Sequence, residues 1–358
     1  MTDYELSSVK KVIGTHFKKA AELSCYLREH PELPDQEFES SRKMVEILKE
    51  AGFEVTYPFA GYETAFHALF DNGDGPEVAI LAEYDALPEI GHGCGHNLHG
   101  SLSVLTGLAL KDLKEFYRGK VHVIGTPAEE ENGAKIGMAA QGIFDNMSLA
   151  MMMHSWSGGK CRADMDALSL QCYFVEFYGQ AAHAVAAPWE GKSALAAARK
   201  FLDLIDARRE CFTPDVHVNS IILDGGKAPN IIPDYVKLRM EFRTATMKSM
   251  GAVDEMVKKC ADGAAMALDC TVKFTSVFEF ADMVRNMTLE EEIIRQFEAF
   301  GMPTTGVEAA SGSSDVGNVS YRCPAIQPLL AVTDEDYALH TAAFRDATAL
   351  PQAEEAME

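Results

Sequence analysis

The chain opens with a long amphipathic period. Leu6, Val9, Val12, Ile13, Phe17, Ala20, Leu23 and Leu27 recur at spacings that predict a helix over 5–30 with one apolar face. His30-Pro31-Glu32-Leu33-Pro34 stops it, because the residue before a proline is pushed out of the helical region. A second helix is expected over 40–51, closed by Gly52. Short apolar runs then alternate with helical patterns: strands at 78–82, 121–125 and 149–153, helices at 98–116 and 133–141. Strands this apolar, separated by helices, predict an α/β sheet covered by helices on both faces.

The pattern changes near residue 168. A strand over 168–178, a helix over 193–208, strands over 216–223 and 236–244, a helix over 248–268 and a strand over 271–278 follow in turn. This β-α-β-β-α-β order is that of a ferredoxin-like, split βαβ unit. The expected organisation is a discontinuous domain of residues 1–167 and 283–358, built on a mixed sheet, with a ferredoxin-like α+β domain inserted at 168–282.

Chemistry collects at the ends of the first three strands. After 78–82 come Glu83-Tyr84-Asp85-Ala86-Leu87-Pro88 and Gly91-His92-Gly93-Cys94-Gly95-His96-Asn97-Leu98-His99. A thiol and imidazoles in a glycine-rich turn are metal-ligand chemistry. Cys94 and His96 are one residue apart, too close for a structural zinc finger, so an open catalytic metal site is expected. Glu129-Glu130-Glu131 follows the second strand and His154 the third. Ligands in open α/β sheets gather beyond the carboxyl ends of strands, so Cys94, His96, the glutamates and His154 are expected on one rim. Adjacent carboxylates beside a metal can divide the work, one binding the ion and the other taking a proton from water.

Composition narrows the function classes. Of 358 residues 47% are hydrophobic and 24% charged, a globular balance. A net charge of −22 argues against a nucleic-acid or anionic-membrane partner. No basic segment followed by an apolar one opens the chain, and no apolar run is long enough to span a bilayer. The eight cysteines lack framework spacing, so reduced thiols and a cytoplasmic location are expected.

The motifs Ala82-Glu-Tyr-Asp-Ala-Leu-Pro, Gly91-His-Gly-Cys-Gly-His-Asn, Pro127-Ala-Glu-Glu, Gly179-Gln-Ala-Ala-His-Ala, Asn230-Ile-Ile-Pro-Asp, Ser314-Asp-Val-Gly-Asn-Val-Ser and His340-Thr-Ala-Ala-Phe occur in one order. Together they resemble the di-metal amidohydrolases and peptidases that include hippurate hydrolase, the auxin-conjugate hydrolases and the aminoacylases. The likeness is strongest to the branch of p-aminobenzoyl-glutamate hydrolase and the β-alanyl-lysine dipeptidase, and it covers nearly the whole chain.

The resemblance implies two divalent metal ions, zinc or manganese, with cobalt and nickel also suited to thiolate and imidazole ligands. Cys94 would bridge them, Glu130 and His340 would complete one shell, and His96 and His154 the other. Glu129 would be the general base and Asp85 would orient a ligand. His183 would steady the oxyanion, commonly in a partner subunit's site. Asn230 and Arg243 match positions that hold the substrate's carboxylate, a job that suits the planar guanidinium of arginine. The implied activity is hydrolysis of the amide bond of a small N-acyl amino acid or dipeptide by a homodimer. A non-catalytic binding subunit, or one subunit of a two-protein amidohydrolase, are the alternatives. One departure is Asn97, where the family often has aspartate.

Overall fold

The computed structural model describes residues 3–310 and 312–358. The backbone begins with α1 (Asp3–Glu29), α2 (Phe38–Glu50), β1 (Glu54–Thr56), β2 (Phe66–Asp71) and β3 (Glu77–Ala82). There follow α3 (His96–Asp112), β4 (Lys120–Gly125), α4 (Ala134–Ala140), β5 (Leu149–Met151), β6 (His154–Trp156) and β7 (Cys161–Arg162). Then come β8 (Ser169–Tyr178), β9 (Ala182–His183), α5 (Ala194–Arg208), β10 (His217–Asp224), β11 (Ile231–Ile232), β12 (Tyr235–Thr244), α6 (Met247–Ala267) and β13 (Thr271–Phe280). The last elements are α7 (Met287–Ala299), β14 (Thr304–Thr305), α8 (Val316–Ser320), β15 (Ala325–Ile326), β16 (Leu329–Ala331), α9 (Ala342–Ala347) and α10 (Pro351–Met357). They form two compact units. One comprises Met1–Asp166, Met283–Ala309 and Asp315–Glu358, the other Ala167–Asp282 with Ala310–Ser314.

The first unit is built on a six-stranded mixed sheet ordered β1-β2-β4-β3-β5-β15. β3 runs parallel to β4 and to β5, with Ala82 opposite Gly125 and Ile80 opposite Met151. Their carboxyl ends therefore lie on one edge, and the loops 83–95 and 126–133 leave from it together. Leu27, Met44, Leu48, Phe66, Tyr84, Leu108 and Val123 form the core beneath. α3 is buried on nearly every side, its polar residues included. It starts at His96 because Gly95 takes the left-handed conformation at φ 81°, which glycine adopts without the Cβ clash other residues meet.

One expectation is corrected. His154 does not follow a single strand over 149–153. The run divides, β5 staying in the six-stranded sheet while His154 opens β6, which pairs in parallel with β16 in a second sheet ordered β14-β7-β16-β6. The partner segment explains the break. Met152 N–H donates to Ile326 O, and His154 N–H to Pro328 O at 2.8 Å. Pro328 has no N–H to return, so the ladder is interrupted and both segments turn there together.

The second unit carries a four-stranded antiparallel sheet ordered β10-β12-β8-β13, with α5 and α6 on one face. Val175, Phe177, Phe201, Leu238, Phe242 and Val257 fill the space between. β10 is an edge strand, and Ile221, Ile222 and Leu223 on it are exposed. A small second ladder sets Ile231 of β11 opposite His183 of β9.

Candidate metal centre

Three loops and one late segment of the first unit supply the polar cluster. Cys94 Sγ lies 3.8 Å from His154 Nε2 and 3.3 Å from His340 Nε2, so one sulfur faces two imidazoles from distant parts of the chain. His340 Nε2 is also 3.4 Å from Glu130 Oε2. The ligand atoms of Cys94, Glu130 and His340 lie within 4.8 Å of one another, as do those of His96, Glu129 and Glu130. His340 is held there by its own N–H, which donates to Gly93 O at 2.9 Å.

Hydrogen bonds aim the imidazoles. His96 Nδ1–H donates to Asp85 Oδ1 at 3.0 Å. That leaves its Nε2 as a lone pair, buried and without a hydrogen-bond partner among the described residues. His154 Nδ1–H donates to Ser155 O at 2.8 Å, which turns its Nε2 toward Cys94. An orphaned imidazole nitrogen beside a second imidazole, with a thiol facing that second ring, forms a donor set that fits a divalent cation. Burial, with Glu130 behind it, pushes the Cys94 thiol well above the usual range. A thiolate there thus depends on a cation for its charge.

The Glu129-Glu130 loop is fixed from two sides. Glu130 N–H donates to Asp85 Oδ2 at 3.0 Å. Ala128, at a positive φ of 61°, donates its N–H to Glu37 Oε1 at 2.9 Å. Burial and the nearby Asp85 lift the Glu37 carboxyl to about 7. Burial, then Glu83 and Glu130, push Glu129 well above the usual carboxylate range, which suits a group that takes and returns a proton.

Several participants escaped sequence reasoning. Glu83, His96, His99 and His154 also present ligand atoms within 4.8 Å of one another. Yet Glu83 and His99 are engaged with each other, His99 Nδ1–H donating to Glu83 Oε2 at 3.1 Å. His99 Nε2 accepts the Ser155 N–H at 2.8 Å. His99 thus stands behind His154, while Glu83 Oε2 also lies 3.4 Å from His96 Nε2. The only signal for them was membership of the same loop and helix as Cys94. Asn97, the departure from the family pattern, donates to Ser24 Oγ at 3.0 Å and faces the helix α1.

The other expected residues belong to the second unit. His183 Nδ1 accepts N–H groups from Val185 at 3.2 Å and Ala186 at 3.1 Å, so its outer nitrogen carries the proton and can donate. Asn230 is its neighbour, since Ala184 N–H donates to Asn230 O at 2.9 Å. Arg243 sits at the far end of β12, with Nη1 donating to Ser313 Oγ at 3.2 Å. Along β12 that end is about 26 Å from the end near Asn230, so one copy of the unit does not bring Asn230 and Arg243 together.

Residues 169–267 match a family described as the peptidase dimerisation domain. The chain is 33% identical over 365 residues to the Xaa-Arg dipeptidase of Mus musculus, covering 96% of this chain and 84% of that protein. The chain belongs to the M20 peptidase family. It is 30% identical to one of the subunits of the p-aminobenzoyl-glutamate hydrolase of Escherichia coli, over 77% of this chain and 61% of the other. The fold agrees with a dinuclear metal binding peptidase of the M20 family from Bacillus subtilis, at a TM-score of 0.71 and 21% identity over 96% of this chain and 97% of that one. It also agrees with an aminohydrolase structure from methicillin-resistant Staphylococcus aureus, at a TM-score of 0.81 and 20% identity over 98% of each chain. This M20 chain is therefore a metal-dependent hydrolase of amide bonds. Among its described residues no helix is long and apolar enough to cross a membrane.

Proposed function

We propose that this M20 enzyme hydrolyses the amide bond next to a free carboxylate in a dipeptide or N-acyl amino acid. The observation that carries the reading is the Cys94 sulfur facing His154 and His340 at once, with Glu130 against one imidazole. Two divalent ions, zinc or manganese, would be held by Cys94 between them, by Glu130 and His340 on one side, and by His96 and His154 on the other. When bound they would supply Lewis acidity and make water a better nucleophile.

The chain's own residues do the rest. Glu129 takes a proton from the attacking water and returns it to the leaving amine. Asp85 holds His96 and the Glu130 backbone in register. His183 donates from its outer nitrogen to the developing oxyanion. Arg243 grips the substrate carboxylate, with Asn230 adding a second polar contact.

The proposal includes a homodimer, which the second unit supports. His183 and Asn230 lie at one end of its sheet and Arg243 at the other, so a second copy is needed for a substrate to meet all three. The matched dimerisation domain and the exposed apolar edge of β10 support this reading. The p-aminobenzoyl-glutamate hydrolase relative is itself named as one chain of a larger enzyme, so a different partner chain is the competing outcome of the test.

The test is to purify the chain, measure bound metal, and screen dipeptides and N-acyl amino acids with added zinc, manganese or cobalt. About two ions per chain with metal-dependent cleavage is the expected result. Metal binding without cleavage by the chain alone would favour the required partner or the non-catalytic binding role.

A further inference from the structure

The second residue of α4, Lys135, is wholly enclosed. Its Nζ donates to Glu83 Oε1 and to Asp315 Oδ1, both at 2.6 Å. Its backbone N–H donates to Asp315 Oδ2 at 3.2 Å, so Asp315 grips the residue at both ends. A lone ammonium in a dry interior costs several kcal/mol. Burial opposes the charge here, but Asp315 and Glu83 outweigh it and hold the lysine above its usual range. Two carboxylate oxygens at 2.6 Å give Lys135 the partners an ammonium needs in that interior.

Its surroundings tie it to the metal centre. Carboxylate oxygens of Glu83, Glu129 and Asp315 lie within 4.8 Å of one another, a grouping that would itself attract a cation. Lys135 supplies one. From the other oxygen of Glu83 the connections run through His99 to the N–H of Ser155, the residue after His154. On the opposite side Gly133, at φ 58°, closes the Glu129-Glu130 loop onto Asp315, where a Cβ would stand 2.8 Å from Oδ2. One ammonium thus anchors both the loop that presents Glu129 and the strand that presents His154.

We infer that Lys135 is a positioning residue for amide hydrolysis, a built-in cation that holds the carboxylates of Glu83, Asp315 and Glu129 in a single arrangement. This rests on the function proposed above for the same site. It also means that the three-carboxylate grouping takes no metal ion of its own.

Lys135→Met removes the charge and keeps most of the volume. The expected result is unchanged metal stoichiometry, a KM within about threefold of the parent, and a kcat per metal-loaded molecule about 10–100-fold lower. In Lys135→Ala, added methylammonium should recover about tenfold of that loss, while tetramethylammonium, which has no donor hydrogens, recovers none. The cobalt-loaded protein gives a second readout, because a shifted His154 changes the d–d absorption at unchanged stoichiometry. A wild-type kcat and an unchanged cobalt spectrum in Lys135→Met would overturn the inference. So would a loss of turnover in strict proportion to lost metal or lost folded protein. If Lys135→Met does not fold, Asp315→Asn carries the same test with the same expected and overturning results. A parent chain that cleaves no amide would sink the functional reading, and the cobalt spectra would still judge Lys135.

Discussion

Asp85 and His96 share a hydrogen bond of 3.0 Å between Oδ1 and Nδ1, and that bond decides which nitrogen of His96 faces the cluster. The other oxygen of Asp85 holds the Glu130 N–H, so one carboxylate sets the aim of two ligand-bearing segments. Asp85→Ala should lower zinc affinity about 10–100-fold. Competition with a chromogenic chelator measures it, and parent-like affinity would refute the role.

The proposed role gives Glu129 a proton to move and no ion to hold. Glu129→Gln should keep the parent's metal content and lower kcat about 10²–10⁴-fold. Metal analysis beside steady-state kinetics separates the two effects. Near-normal turnover would assign the proton to another group.

Gly95 is required by the turn into α3. At φ 81° any side chain is strained, and a Cβ would collide with the Ser155 hydroxyl that bonds to Cys94 O. Gly95→Ala should displace both Cys94 and β6, leaving protein that binds less than one equivalent of metal or does not accumulate folded. A folded, fully loaded variant would contradict the geometry.

Stability should carry a pH signature from Asp164. Burial lifts this carboxyl from 3.8 to about 7. Its Oδ1 accepts the N–H groups of Met165 and Gln327, while Oδ2 has no partner among the described residues. A raised carboxyl favours the folded state while protonated. Its contribution is full below about 4 and is lost as pH rises through about 7, on the order of a few kcal/mol. Asp164→Asn keeps the accepting oxygen and removes the titration. The melting temperature of the variant relative to the parent should therefore rise between pH 5 and pH 8. A difference that stays flat with pH would disprove it.

The edge of β10 gives the fourth handle on function. Ile221→Lys with Leu223→Lys places charge on the exposed strand, a device that blocks edge pairing. The expected protein is monomeric by light scattering, retains its metal, and loses turnover about 100-fold as the His183 donor is withdrawn from the site. A persistent dimer, or a fully active monomer, would defeat the proposal that unit two serves a neighbouring copy.

The sequence showed some of this directly. The strands of the second unit are long and alternate, so their limits were legible to within a few residues, and the β-α-β-β-α-β order followed. Cys94 and His96 announced themselves by residue type. Glu83 and Lys135 did not, because a glutamate after a strand and a lysine in a short helix look like solvated residues. They meet each other across 52 positions of chain. The division of 149–156 into two strands was hidden for a similar reason, since its cause, Pro328, lies on the partner segment.

The first and last strands of the second unit are neighbours, with Leu170 of β8 opposite Phe280 of β13. The chain thus makes a closed excursion between its early ligands and His340, which is 246 residues beyond Cys94. The contact between Cys94 and His340 must therefore wait until that excursion is complete. An ion held by Cys94, Glu130 and His340 together would accordingly mark a finished chain.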